Sequence, residues 1–177
     1  MPAGAWTWLE LAKLLASLSV PVAVLVLGLM LERRKVANQE LTRKRIAVFD
    51  AVAPKLNDIL CFYRAVGHWA TLDPDRIVAA KRDADRQVHI YRALFSAEFF
   101  AAYKSFMTAS FEMFSDPAGG APAKLRLDPA HCAAEMGKGW QDAWRARISD
   151  RPTPVAEFGA AYDRLMIAFA REIGVDG

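Results

Sequence analysis

The densest run of chemically capable side chains in this sequence is CFYRAVGHW, residues 61–69. His68 could carry a proton at neutral pH, and Cys61 or Tyr63 could act beside it, with Trp69 as an apolar wall. Such a pocket needs a base held by a third group, and no Asp or Ser stands next to His68 in the chain. The simpler account is a helix end that packs its aromatics inward and leaves His68 and Trp69 near the surface. A second cluster, His131, Cys132 and Glu135, has two potential ligands one helical turn apart. A zinc site needs three or four, so no metal is expected there. Asp83 and Asp85 stand two apart and do not share a helix face, which argues against a carboxylate pair.

Motif chemistry is otherwise absent. Gly119-Gly120 lacks the preceding strand and the following Lys-Ser/Thr of a phosphate loop, and there is no HExxH, paired CxxC or GxSxG. No catalytic residue, no cofactor and no metal are expected. The net charge of +3 over 177 residues is too small and too dispersed to argue for nucleic acid. Two cysteines without a disulfide pattern suit a reducing compartment. The Arg and Ala usage fits a GC-rich bacterial genome.

The elements that must position these residues read as helices. Phe49, Val52, Leu56, Ile59, Leu60, Tyr63 and Val66 recur at three- and four-residue steps, with a bend expected near Pro54 and an end near Gly67. Asp73-Pro74 starts a second helix, with Ile77, Ala84, Val88 and Tyr91 inward and Lys81, Arg82, Asp83, Asp85 and Arg86 mostly toward solvent. Ser96 caps a third, predicted to run to Phe114 and apolar over most of its circumference. Residues 115–128 form a Gly/Pro loop. Asp128-Pro129 opens a fourth helix, with Cys132, Met136, Trp140, Trp144 and Ile148 at near-four-residue steps. Thr153-Pro154 opens the last. No stretch alternates convincingly with period two, so the expected class is all-α, a bundle of four to five helices.

One stretch stands apart. Residues 14–31, LLASLSVPVAVLVLGLML, carry no charge and only Ser17 and Ser19 as polar side chains. About 20 helical residues cross a bilayer core of about 30 Å, so with Lys13 snorkelling the run is just long enough to span. It lacks the basic start and the A-x-A site of a cleaved leader, which favours an uncleaved anchor kinked at Pro21. The expected organisation is a short extracytoplasmic segment (1–13), a single transmembrane helix (14–31), a basic juxtamembrane linker (32–53) and a cytoplasmic helical domain (54–177).

Arg33, Arg34, Lys35, Arg43, Lys44 and Arg45 flank the run on its C-terminal side. They place the domain in the cytoplasm by the positive-inside bias and offer contacts to anionic lipid headgroups of the bilayer. Trp6 and Trp8 fit an outer aromatic belt in the cell (inner) membrane. Ala12, Ala16, Ser19 and Ala23 fall on one stripe through which two anchors could associate, so a homo-oligomer is expected.

The expected function is that of a single-pass scaffold, adaptor or sensor acting on a cytosolic protein partner. The aromatic helix 96–114 and the Trp140/Trp144 stripe are its candidate surfaces. The alternative is a membrane-disrupting effector assembled through the anchor, and behind it an enzyme with a site near His68.

Overall fold

The computed structural model describes residues 8–112 and 123–175, with the side chains of 9–12, 14–16, 18 and 20 outside that description. The described chain is mostly helical. In chain order it comprises α1 (Trp8–Arg64), α2 (Pro74–Ile90), α3 (Ala97–Ser110), β1 (Phe111–Glu112), β2 (Lys124–Leu125), α4 (Pro129–Met136) and α5 (Val155–Glu172). Short 3-10 turns lie among them at Trp69–Thr71, Arg92–Leu94, Gly137–Gly139 and Asp142–Arg147. The chain divides into two compact units, Met1–Leu41 and Thr42–Gly177.

In the first unit every described side chain from 21 to 40 is exposed. Among the described residues no helix is long and apolar enough to cross a membrane. The expected span 14–31 is described continuously at side-chain level only from residue 21. Helix continues through Pro21 and, in the second unit, through Pro54, where a bend was expected.

The second unit is a helical bundle whose core is built largely from the predicted stripes, although Val66 and Tyr91, expected to face inward, are exposed. Val48, Val52, Leu56, Ile59 and Phe62 of α1 are buried with Ile77, Ala84 and Val88 of α2. Packing therefore begins inside the stretch that charge alone marks as linker. At the centre, α3 lies along α5. Phe99 meets Phe169 at 4.5 Å between ring centroids, Phe106 meets Phe158 at 5.6 Å, and the buried Ala161 and Ala168 of α5 are small enough to admit the approach. Aromatic pairs at such spacings add about 0.5–1.5 kcal/mol each beyond their buried area.

Local signals set the helix ends. The Asp73 carboxylate accepts from Arg76 N–H, the Ser96 hydroxyl from Phe99 N–H, and the Asp128 carboxylate from the N–H groups of Ala130 and His131. Each satisfies donors that a helix N-terminus leaves open. At its C-terminus α1 turns on Ala65, at φ 49°, with Val66 N–H donating to Cys61 C=O at 3.1 Å and Ala65 N–H to Phe62 C=O. This is a Schellman closure with alanine where glycine is usual.

Two expectations are corrected. The third helix does not reach Phe114. It ends at Ser110, and Phe111–Glu112 pairs antiparallel with Lys124–Leu125, joined on the other side by a parallel bridge from Leu125 to Ile148. Along 123–127 the chain alternates buried Ala123, Leu125 and Leu127 with half-buried Lys124 and Arg126, the period-two signature of a strand. That part of the expected loop is therefore ordered edge structure, while 115–122 lies outside the described residues. Nor does one helix run from Asp128 to Ile148. α4 stops at Met136, because Gly137 takes a positive φ of 53° and glycine costs a helix interior about 1 kcal/mol relative to alanine. Met136 and Ile148 are still buried, and Trp140 and Trp144 still pack on the core, through 3-10 turns in place of a continuous helix face.

Candidate functional site

A cavity of about 320 Å³ lies where the end of α1, the start of α4 and the start of α5 converge. Asp128 and Pro129 begin α4 so that Cys132 turns inward and His131 outward. Tyr63, Leu127, Cys132 and Phe158 are buried members of its lining, which Asp128, His131 and residues 152–155 complete. Tyr63 stacks on Phe158 at 4.4 Å between centroids with the rings 10° from parallel. Its hydroxyl donates to the Ser110 carbonyl and accepts from Arg126 N–H at 3.2 Å. The ring is thus fixed at both ends, and it ties the helical core to the segment 123–127 around β2.

The electrostatics keep the site's phenol and thiol protonated. Burial holds the Tyr63 phenol well above 10, against a smaller lowering by the Arg126 hydrogen bond. Burial, then the negative charges of Asp128 and Glu135, push the Cys132 thiol up to about 11. A thiol in that state is a poor nucleophile at neutral pH. Asp128 is engaged in capping, and His131 and Glu135 are exposed. What this arrangement can do is enclose a small apolar group beside weak hydrogen-bond donors. The volume is at the small end of ligand pockets.

The four residues 61, 63, 68 and 69 singled out from sequence are not brought together. Tyr63 alone lines the cavity. The buried Cys61 Sγ lies where a side chain at Gly67 would meet it at 3.3 Å. His68 is exposed, with Nε2 2.9 Å from the Asp58 carboxylate. Trp69 packs edge-on against Gly139, where a Cβ would come within 2.9 Å of its ring. Asp58 is the acid that inspection of neighbouring sequence missed. It stands ten residues back on α1, and only the reversal at Ala65 and Gly67 brings His68 to it.

The chain matches no family model, no curated protein and no solved structure. Its function must therefore be argued from its own geometry. Among the described residues there is no group of three or more His, Cys, Asp or Glu side chains placed to hold a metal ion. His131 and Cys132, adjacent in sequence, both line the cavity, the first exposed and the second buried.

Of the basic flank, Arg33, Arg34, Lys35, Arg43 and Lys44 are exposed. Arg45 is not available to headgroups in the same way. It pairs with the buried Glu172 at 3.0 Å and donates to the carbonyls of Glu172 and Leu94. On the small-residue stripe, Ser19 and Ala23 are exposed, while Ala12 and Ala16 lie outside the described side chains. The expected partner surfaces are largely absorbed by the fold. Phe99, Tyr103, Phe106, Met107 and Phe111 are buried, and Trp140 and Trp144 are half-buried against the core. Phe114 lies outside the described residues.

Lys81 requires another correction. It is only 4% exposed, because it occupies the 77/81/84/88 stripe of α2 and not the solvated face. Its ammonium is held by Asp85, which also accepts from the Tyr103 hydroxyl at 2.8 Å, and it lies 5.7 Å from the centroid of the Phe111 ring. A buried cation is tolerated only when paired in this way.

Proposed function

We propose that the protein is a single-pass, membrane-anchored helical module that acts by protein–protein interaction, with Thr42–Gly177 on the cytoplasmic side. The observation that carries this reading is the state of residues 21–31. Val22, Val24, Leu25, Val26, Leu27, Leu29, Met30 and Leu31 are each 43–66% exposed, with no polar side chain among them. Monomeric soluble proteins rarely display a continuous apolar surface of that kind, which marks contact with lipid or another chain. These eleven residues cover roughly 16 Å as a helix, about half a bilayer core, so spanning depends on the preceding run 14–20. The exposed Arg33, Arg34 and Lys35 that follow are the charges that would hold the C-terminal side inward. Support for interaction in place of catalysis comes from the cavity, where the thiol and phenol are held protonated and the Asp128 carboxylate is taken up in capping α4.

Alkaline carbonate extraction of membranes from cells producing the full chain tests the anchor. Retention in the pellet, abolished by Leu25→Asp with Leu27→Asp, is the expected outcome. Quantitative release of the unaltered chain would refute it. A reporter fused after Gly177 tests the orientation, and activity on the outer side would reverse the topology. The mass of the full chain in detergent, with and without Ala16→Leu and Ala23→Leu, tests assembly through the anchor.

A further inference from the structure

A second cavity of about 400 Å³ lies along the groove between α3 and α5, and its lining has a different chemistry. The floor is made of small side chains, among them Ala101, Ser105 and Ala161, and the walls carry Lys104, Arg126 and Arg164. Glu157 is the one carboxylate lining it, so the lining sums to +2.

We infer that this groove is a binding site for a phosphate-type anion, a phosphomonoester or diphosphate group. Three cations, Lys104, Arg126 and Arg164, line this one groove. Arg126 is preorganised, because its Nε donates to the Arg151 carbonyl at 2.9 Å and one terminal nitrogen to the Thr108 carbonyl at 3.2 Å. Those bonds hold the guanidinium plane in place and leave its other terminal nitrogen without a protein acceptor among the described residues. Lys104 and Arg164 are exposed and make no ion pair among the described residues, so both ammonium and guanidinium are open to an anion in the groove. The Ser105 and Thr108 hydroxyls add donors to the same space. Glu157 has a separate structural role in the first turn of α5, where a carboxylate complements the helix dipole. A doubly charged anion outcompetes a single carboxylate for three cations, and a fixed guanidinium loses little freedom on binding it. This site stands independently of the membrane reading, since its lining belongs wholly to the unit Thr42–Gly177.

The phosphate could belong to a soluble ester or to a lipid headgroup, and the test separates the two. Full chain in neutral detergent is titrated calorimetrically with inorganic pyrophosphate. The same chain is partitioned onto phosphatidylcholine vesicles with and without phosphatidic acid. Lys104→Gln with Arg164→Gln serves as one variant. Ser105→Glu, which sets a negative charge on the groove floor while leaving both cations in place, serves as a second should the first fold poorly. Saturable pyrophosphate binding, weakened at least about tenfold in either variant, establishes the site with a soluble ester as ligand. Weak pyrophosphate binding together with a variant-sensitive gain on phosphatidic acid establishes it with a lipid headgroup. Wild-type and variant chains that behave alike in both assays would overturn it.

Discussion

Arg45 and Glu172 close the folded unit on itself. Their side chains meet at 3.0 Å, and a second Arg45 nitrogen donates to the Glu172 main-chain carbonyl at the same distance. The other Glu172 oxygen accepts from Ser96 N–H at 2.7 Å, so one buried carboxylate joins α1, the start of α3 and the end of α5. Removing one partner of a pair this shielded leaves an uncompensated charge. Glu172→Ala is expected to cost about 2–3 kcal/mol, less than the roughly 3–5 kcal/mol of fully buried pairs because Arg45 is 23% exposed. Arg45→Met with Glu172→Leu should recover much of that loss. Chemical denaturation of the three chains checks both statements, and equal stabilities would show the pair to be inconsequential.

Ala65 sits at φ 49°, where an L side chain crowds the following carbonyl and glycine does not. Ala65→Gly is expected to raise stability by about 0.5–1 kcal/mol and to leave the fold intact. The midpoint of thermal unfolding reads the change directly. A lowered midpoint would mean that the half-buried Ala65 methyl matters more as a core contact than as a source of backbone strain.

At Gly139 the constraint is steric. A methyl there would stand 2.9 Å from the Trp69 ring, closer than real contacts allow. Gly139→Ala should therefore destabilise by about 1–2 kcal/mol, in the range of overpacking. The same substitution in a Trp69→Leu background should be nearly silent. A double-mutant cycle measures the coupling, and additivity would place the cost elsewhere.

Cys132 supplies a pH signature. Its thiol rises from 9.0 to about 11 on folding, chiefly through burial. Between those values the unfolded chain has released the proton and the native chain has kept it, so stability falls as pH rises through that window. Tyr63, Tyr103 and Tyr162 are also raised by burial and act with the same sign at higher pH. The wild-type chain should lose about 2–3 kcal/mol more than Cys132→Val between pH 8 and 11. Parallel alkaline dependences would assign the whole loss to the tyrosines. At pH 7.5, alkylation of native Cys132 should be slow compared with the unfolded chain.

Lys81 gives a further handle on the core. Replacing it with Met keeps the volume but leaves Asp85 with only the Tyr103 hydroxyl as donor. A loss of about 1–3 kcal/mol is expected, and Asp85→Asn in the same background should restore part of it. Urea unfolding of the single and double variants decides the matter.

What could be read without the structure was whatever the chain encodes within a few residues. Asp73-Pro74, Ser96 and Asp128-Pro129 cap α2, α3 and α4 because a side chain three positions back is within reach of an open N–H. The stripes through Phe49 to Tyr63 and Phe158 to Phe169 follow from the helical repeat. The all-α class rested on those signals, and so did the apolar run that motivates a membrane anchor. Tertiary structure decided what depends on distant partners. Arg45 looks like a flanking charge until Glu172, far along the chain, is packed beside it. Lys81 looks solvated until the stripe it belongs to closes over it. Ala123, Leu125 and Leu127 already alternate in sequence, but three apolar positions are too few to announce a strand before Phe111 and Ile148 supply edges to pair with. The groove holding Lys104, Arg126 and Arg164 exists only because α3 and α5 pack side by side, with Arg126, just past β2, beside them. No local rule places three such charges together, since their shared position is a property of packing and not of spacing.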